Sequence, residues 1–405
     1  MNKRCFPPMH VTRLRFLLAS VLFVPLLFFP AADFIYASDS PNFQEADIKK
    51  DILDGIRLLY NYQFEDAEKI FQKVTNNSIE RPAGYFYLAM VSWSRLSSGF
   101  WSPDVVDEFR TRIDQTIKIA KKRIEKNGHN SYDYLFLGGA LGFKGRFRLM
   151  QGKWFSSFLF ATDAIEALKT CINMDPYNRD VLLGLGTYDY YTARLSGVLK
   201  FLSYLLIRWG DREEGLRKLH LAAREAVYSA TEAKSMLLHI YLFLEDDFSK
   251  ALNLAEDLSK EYKKNPRFEV MKGLCYIRLG MDQKYKELVA EFRQRDSDPS
   301  PETRNFWERR SLYLECINYL YNESYSEAKS KINEILKTAD PEKDPWMIAW
   351  PLIKMGMCYD LEGNREEARK YYFRVLNMKN GSGAQFLAEK LLEAPPAKKD
   401  PFLGY

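Results

Sequence analysis

Histidine and cysteine are scarce in this sequence, and their scarcity narrows the chemistry first. The chain has 4 His and 5 Cys in 405 residues. His10 and Cys5 fall in an N-terminal stretch that reads as a targeting signal, which leaves His129, His220 and His239 with Cys171, Cys275, Cys316 and Cys358. His129 follows Gly128 in a turn, while His220 and His239 fall on helices of different pairs. No two cysteines form a C-x-x-C pair, and their wide spacing does not resemble a metal cluster. Each lies on a helical apolar face, where Cys acts as a small buried hydrophobe, so free thiols are expected. H-E-x-x-H, G-x-S-x-G and G-x-x-x-x-G-K-[ST] do not occur. G-G-A-L-G-F-K-G at Gly138 to Gly145 has the glycines of a phosphate loop but no strand before it. Gly184-Leu185-Gly186 is likewise explained by helix packing. The expectation is a protein that is not an enzyme, with no catalytic residues, no metal and no cofactor.

An excess of one charge is also missing. The formal charge of +5 falls to +2 once Lys3, Arg4, Arg13, Arg15 and Asp33 are set aside, leaving 55 basic and 53 acidic residues. Nothing at that level calls for nucleic acid, and none is expected as a partner. There is no long apolar run after the first 40 residues. The one near the start, Phe16 to Phe29, is short for a membrane span and carries Pro25. It follows a basic region through Arg15 and ends at Ile35-Tyr36-Ala37, as a secretory signal does. Residues 1–37 are read as a signal peptide cut after Ala37, with an uncleaved anchor as the alternative. No Cys follows the run, so lipid attachment is unsupported. The mature chain is expected in the periplasm or at the outer membrane of a bacterial envelope.

What is abundant is aromatic. The 25 Tyr and 27 Phe, with 46% hydrophobic and 28% charged residues, fit a folded chain and argue against disorder. They recur in a pattern. Gly55 and Leu58 precede Phe64, Ala67 and Phe71; Leu238, His239 and Leu242 precede Phe248, Ala251 and Ala255. Leu312, Cys316 and Tyr319 precede Tyr325, Ala328 and Ile332; Leu352, Met355, Gly356 and Tyr359 precede Gly363, Ala368 and Tyr372. In all four, nine positions separate the last helix-A anchor (Leu58, Leu242, Tyr319, Tyr359) from the helix-B alanine. Small residues let two antiparallel helices approach, and large ones fill the gap to the next pair.

This pattern resembles the tetratricopeptide repeat (TPR) family, with its W-x2-L-G-x2-Y, A-x3-F and P signature. Leu352-x2-Met355-Gly356-x2-Tyr359 with Ala368-x3-Tyr372 carries it best. Tyr134-x2-Leu137-Gly138-x2-Leu141 with Ala164-x3-Leu168 and Pro176 is a second good copy. The Trp is missing throughout, and in one copy Tyr285 stands where Ala is expected. The resemblance implies an all-α superhelical solenoid of roughly eight antiparallel helix pairs over residues 45–394, a binding scaffold in class. Gln385 to Glu393 reads as a capping helix, and 395–405 as a flexible tail.

Alignment of the copies places Leu183, Thr187, Tyr190, Met236, Ile240, Phe243, Tyr313, Ile317, Leu320, Ile353 and Met357 on the inner face of the A helices. Family members that clamp a peptide carboxylate put Lys and Asn there; this chain puts apolar and aromatic residues. Either the groove takes an apolar partner segment, or the protein's own insertions fill it. Those insertions lie at 142–163 and 190–214, where 23 positions separate Leu141 from Ala164 and 26 separate Asp189 from Gly215. Both fall at A-to-B turns of consecutive pairs and so on one edge, where Phe100 and Trp101 join from the preceding pair. The first carries Lys144, Arg146, Phe147, Arg148, Lys153, Trp154 and Phe155 with no acid before Asp163; the second carries Arg194, Lys200, Phe201, Arg208 and Trp209. Basic residues among aromatics suit a partner's apolar groove or an anionic membrane interface. They also suit a plain alternative, in which Val198 to Trp209 is a core helix with its cations snorkelling. The reading is an envelope scaffold or adaptor binding protein partners through groove and edge; the alternative is a peripheral membrane protein docking on anionic lipid.

Overall fold

A computed structural model describes residues 43–127, 130–151, 153–194, 210–295, 305–398 and 400–404. The signal-peptide reading of 1–37 and His129 lie outside the described residues, as do Lys200, Phe201, Arg208 and Trp209. Among the described residues there are seventeen α-helices and no strand. They run in pairs: α1 (Phe43–Tyr60) with α2 (Phe64–Asn77), α3 (Pro82–Ser97) with α4 (Pro103–Asn127), and α5 (Ser131–Met150) with α6 (Trp154–Met174). Next come α7 (Val181–Ala193) with α8 (Arg212–Glu225), α9 (Ala230–Phe243) with α10 (Phe248–Glu261), and α11 (Pro266–Arg278) with α12 (Asp282–Arg295). Then α13 (Phe306–Tyr321) pairs with α14 (Tyr325–Thr338) and α15 (Trp346–Leu361) with α16 (Arg365–Leu376), and α17 (Ala384–Glu393) closes the array. Each helix packs mainly on its sequence neighbours, which is the solenoid of antiparallel pairs that the repeat implies.

The nine-position register has a backbone cause. Four residues after the helix-A anchor, the chain turns through a left-handed conformation: Tyr62, Asp246, Gly280, Glu323 and Gly363 all have φ between 52° and 84°. That residue ends helix A and aims the chain back within two or three residues. The second helix then begins on a cap where the sequence allows. Asp211, Asp247 and Asn364 accept the backbone N–H of Glu214, Lys250 and Glu367. Within a pair the small residue sets the approach. A Cβ on Gly356 would lie 2.4 Å from the ring of Tyr372, which is fully buried and donates to Asp360 at 2.8 Å. Tyr285, in the eroded copy, is itself buried.

The first insertion is not a separate element. It continues both helices of its hairpin, so α5 and α6 run 20 and 21 residues. Ser157 and Phe160 of α6 lie against Gly145 of α5. In the second, α7 ends at Ala193 and α8 begins at Arg212, with 195–209 outside the described residues.

Three contacts join parts of the chain far apart in sequence. The Tyr60 ring of α1 packs 5.4 Å from Tyr262 and 6.3 Å from Phe268, and its hydroxyl donates to Glu232 at 2.5 Å. Asn265 donates to the Tyr60 carbonyl at 2.9 Å. At the α3–α4 turn, the Trp101 N–H donates to Asn380 at 2.9 Å and the Ser382 hydroxyl to the Gly99 carbonyl at 2.8 Å. Trp101 also meets Phe386 edge-on at 5.4 Å. Thus the first two pairs touch the middle and the end of the array. Third, the segment after α17 reaches back onto the array. Lys398 pairs with Glu323 at 2.7 Å, Pro401–Gly404 forms a 3-10 turn, and Leu403 is fully buried among residues of the main core.

Candidate interaction surfaces

The eleven inner-face residues do not line an open groove. Tyr190, Met236, Ile240, Phe243, Tyr313, Ile317, Leu320, Ile353 and Met357 are buried, and Leu183 and Thr187 are half-buried. Tyr190 donates to Glu245 at 2.5 Å, Tyr313 packs on Trp346 at 4.8 Å, and Met236 accepts from Tyr191 at 3.7 Å. Tyr60 and Leu403 belong to the same apolar cluster as most of this set. The tail reaches this cluster through Leu403, which the repeat pattern does not announce.

The edge residues divide three ways. Phe147 is core, stacked at 6.0 Å on Trp101 and 5.1 Å from Phe109. Phe100 and Trp101 are half-buried, Trp101 at the contact with residues 380–386, where its backbone N–H donates to Asn380. Two expected free cations are engaged by acids remote in sequence. Lys144 pairs with Asp114 at 2.5 Å and lies over the Phe160 ring at 4.7 Å. Arg194 pairs with Glu245 at 3.1 Å, beside Arg212 on the same carboxylate. Those hydrogen bonds outweigh burial and hold the Glu245 carboxyl below its usual range, Arg212 contributing most. The backbone of Trp154 starts α6.

What remains accessible is the hairpin tip. Leu149 is 57% exposed, Phe155 55% and Leu159 49%, with the last two one turn apart on α6. Around them stand Arg146 and Lys153, both exposed, and the half-buried Arg148, which reaches Gln151 at 3.5 Å. The Arg146 guanidinium lies 5.2 Å from the Trp93 ring centre. Leu149 and Leu159 are the part of this surface that reading the sequence missed. Leu159 sat in the apolar run F-L-F-A and Leu149 beside Arg148 among the basic residues, and only their position on a long hairpin exposes them.

The remaining titratable groups behave as core. Burial pushes the Cys171, Cys275 and Cys358 thiols up to about 12, which removes the thiolate needed for reactivity. Burial pushes His239 down to about 3, with Arg267 and Arg146 adding to it. Lys354, which the sequence pattern did not single out, is fully buried on α15, and burial brings it down to about 7. Its signal was a lone cation inside the otherwise apolar W-M-I-A-W-P-L-I-K-M-G-M-C of residues 346–358.

No protein-family model matches the sequence. No curated protein matches it either. Among solved structures the chain is similar to the human IFIT1 dimer with PPP-AAAA, at 14% identity and a TM-score of 0.40, over 77% of this chain and 68% of that one. It is similar to the human IFIT1 dimer with m7Gppp-AAAA at 15% identity and a TM-score of 0.38, over 90% and 80%. The P58(IPK) TPR domain matches at 16% identity and a TM-score of 0.21, over 86% and 98%. Likenesses this low assign neither ligand nor partner. The architecture rests on the helix pairs themselves.

Proposed function

We propose that this chain is a non-catalytic interaction scaffold of the bacterial envelope, exported by its N-terminal signal, and that a protein partner engages the α5–α6 hairpin tip. The observation that carries this is the contrast in exposure. Leu149, Phe155 and Leu159 are about half exposed together at one tip, while nine of eleven inner-face side chains are buried. An apolar centre with a cationic rim is the anatomy of a recognition patch. The same rim supports a second reading, an anionic lipid surface, because Arg146, Arg148 and Lys153 flank the apolar residues without an acid between 143 and 162.

One experiment separates them. The mature chain from Ser38, carrying a photo-crosslinking residue at position 156 between Phe155 and Leu159, is irradiated in envelope extract and, in parallel, floated with anionic and neutral liposomes. The expected result is one discrete protein adduct and no flotation. The triple change Leu149→Ser, Phe155→Ser, Leu159→Ser should remove the adduct, since each side chain is worth roughly 1 kcal/mol on burial and the three together on the order of 100-fold in affinity. Salt-sensitive flotation on anionic lipid, lost in Arg146→Ser, Arg148→Ser, Lys153→Ser, would establish the lipid reading instead. An adduct unchanged by the triple substitution would remove the hairpin from both.

A further inference from the structure

Residues 398–404 do something a solenoid's trailing segment has no need to do. After α17 the chain crosses the α13–α14 turn, where Lys398 meets Glu323, and enters the inner face. There the 3-10 turn touches α9 and α13, the first helices of two pairs that are not adjacent. Leu403 is fully excluded from water, in the cluster that holds Met236, Ile240, Tyr313, Ile317, Ile353 and Met357. Its N–H donates to the Asp400 carbonyl at 3.0 Å, closing the turn. Gly404 donates its N–H to the Tyr321 hydroxyl, which Arg278 also meets at 3.0 Å. The Asp400 charge acts on Lys354, a cation with no water contact at the floor of the same region.

This set has the composition of a short-peptide site. It offers an apolar slot for one leucine, a buried cation on which the charge of an acid three residues before that leucine acts, and a hydroxyl for a backbone amide. The segment in it is held from outside by an ion pair whose side chains are 64% and 53% exposed, and such pairs contribute little. We infer that residues 400–404 are an internal ligand that keeps the inner face closed, and that a turn-forming segment of another protein with an acid three positions before a leucine displaces them. This stands apart from the hairpin reading and shares no residue with it. A tethered segment competes at an effective concentration of about 1 mM, so a free peptide sees the site only once the tether is released.

The test uses a fluorescein-labelled peptide of residues 394–405 and the mature chain. By anisotropy, the wild-type chain should bind it at least about 10-fold more weakly than Leu403→Asp, whose own segment is expelled. In the Leu403→Asp background, Lys354→Met should weaken binding, and a peptide with its own leucine changed to Asp should not bind. A folded Leu403→Asp chain that ignores the peptide, or binds a scrambled one equally, overturns the inference. Should Leu403→Asp fail to fold, a protease site placed at 395–397 of the wild-type chain provides a second measurement. The cut fragment should leave on dilution, with helicity retained, and rebind saturably. A fragment that never leaves, or a chain that unfolds as it does, overturns the inference.

Discussion

Replacing Asp344 by Asn should cost about 3–5 kcal/mol of unfolding free energy, a larger loss than any surface change in this chain. Asp344 stands just before α15 and accepts from both arginines that open α13. Arg310 donates to it at 2.7 and 2.9 Å, and Arg309 at 2.9 and 3.0 Å. All three side chains are buried, Arg309 also donates to the Thr338 carbonyl, and Arg310 lies 3.4 Å over the Phe306 ring. The triad therefore ties the seventh pair to the eighth. Asn keeps the shape but leaves two buried guanidinium groups without a counter-charge, and it is that orphaned charge that costs most. The pH dependence has a definite sign. Burial alone would raise the Asp344 carboxyl, but Arg310 and then Arg309 more than offset it, so its folded pKa lies below the usual value. The resulting stability is fully present above about pH 4 and drains away as pH falls through the folded pKa. Urea unfolding at pH 7 and along a descending pH series checks both statements. A loss under about 1 kcal/mol would show that the triad is incidental.

Tyr60→Ala should cost about 3 kcal/mol and loosen the first pair selectively. The ring sits against Tyr262 and Phe268, and its hydroxyl reaches Glu232, so the change removes both an aromatic contact and a hydrogen bond to a carboxylate across 172 positions of sequence. Tyr60→Phe keeps the ring contact and should cost about 1.5 kcal/mol. A double-mutant cycle with Glu232→Gln isolates the polar part. In limited proteolysis, Tyr60→Ala should be nicked first between α1 and α4, while α9 to α17 stay protected. Uniform loss of protection would mean that the first pair is no more coupled to the middle than any neighbour is.

The pairs were legible because helix-pair packing is local. Leu58, Leu242, Tyr319 and Tyr359 each stand nine positions before an alanine that the structure buries completely. The turn between them was half visible. Gly280 and Gly363 mark the left-handed residue, whereas Tyr62, Asp246 and Glu323 take the same conformation without announcing it. Contacts between distant pairs were not legible, for a physical reason. A repeat period reports what each pair does to the next and is silent on Tyr60 reaching Phe268, Gly99 reaching Ser382, or Leu403 entering the core. Nor could the sequence show that Asp114 and Glu245 pair with Lys144 and Arg194 from 30 and 51 residues away.

Thiol labelling tests the contrast between a closed inner face and an open hairpin most directly. Cys171, Cys275, Cys316 and Cys358 are buried, so the chain from Ser38 should react slowly with a maleimide. Ile353→Cys and Leu149→Cys each add one thiol, at a fully buried and a 57% exposed position respectively. Leu149→Cys should label at the rate of a free thiol and Ile353→Cys at least about 100-fold more slowly, its rate set by opening of the structure. Equal rates in folded protein would mean that the inner face is open to solvent, and would contradict an account in which that face is closed while the hairpin tip is open.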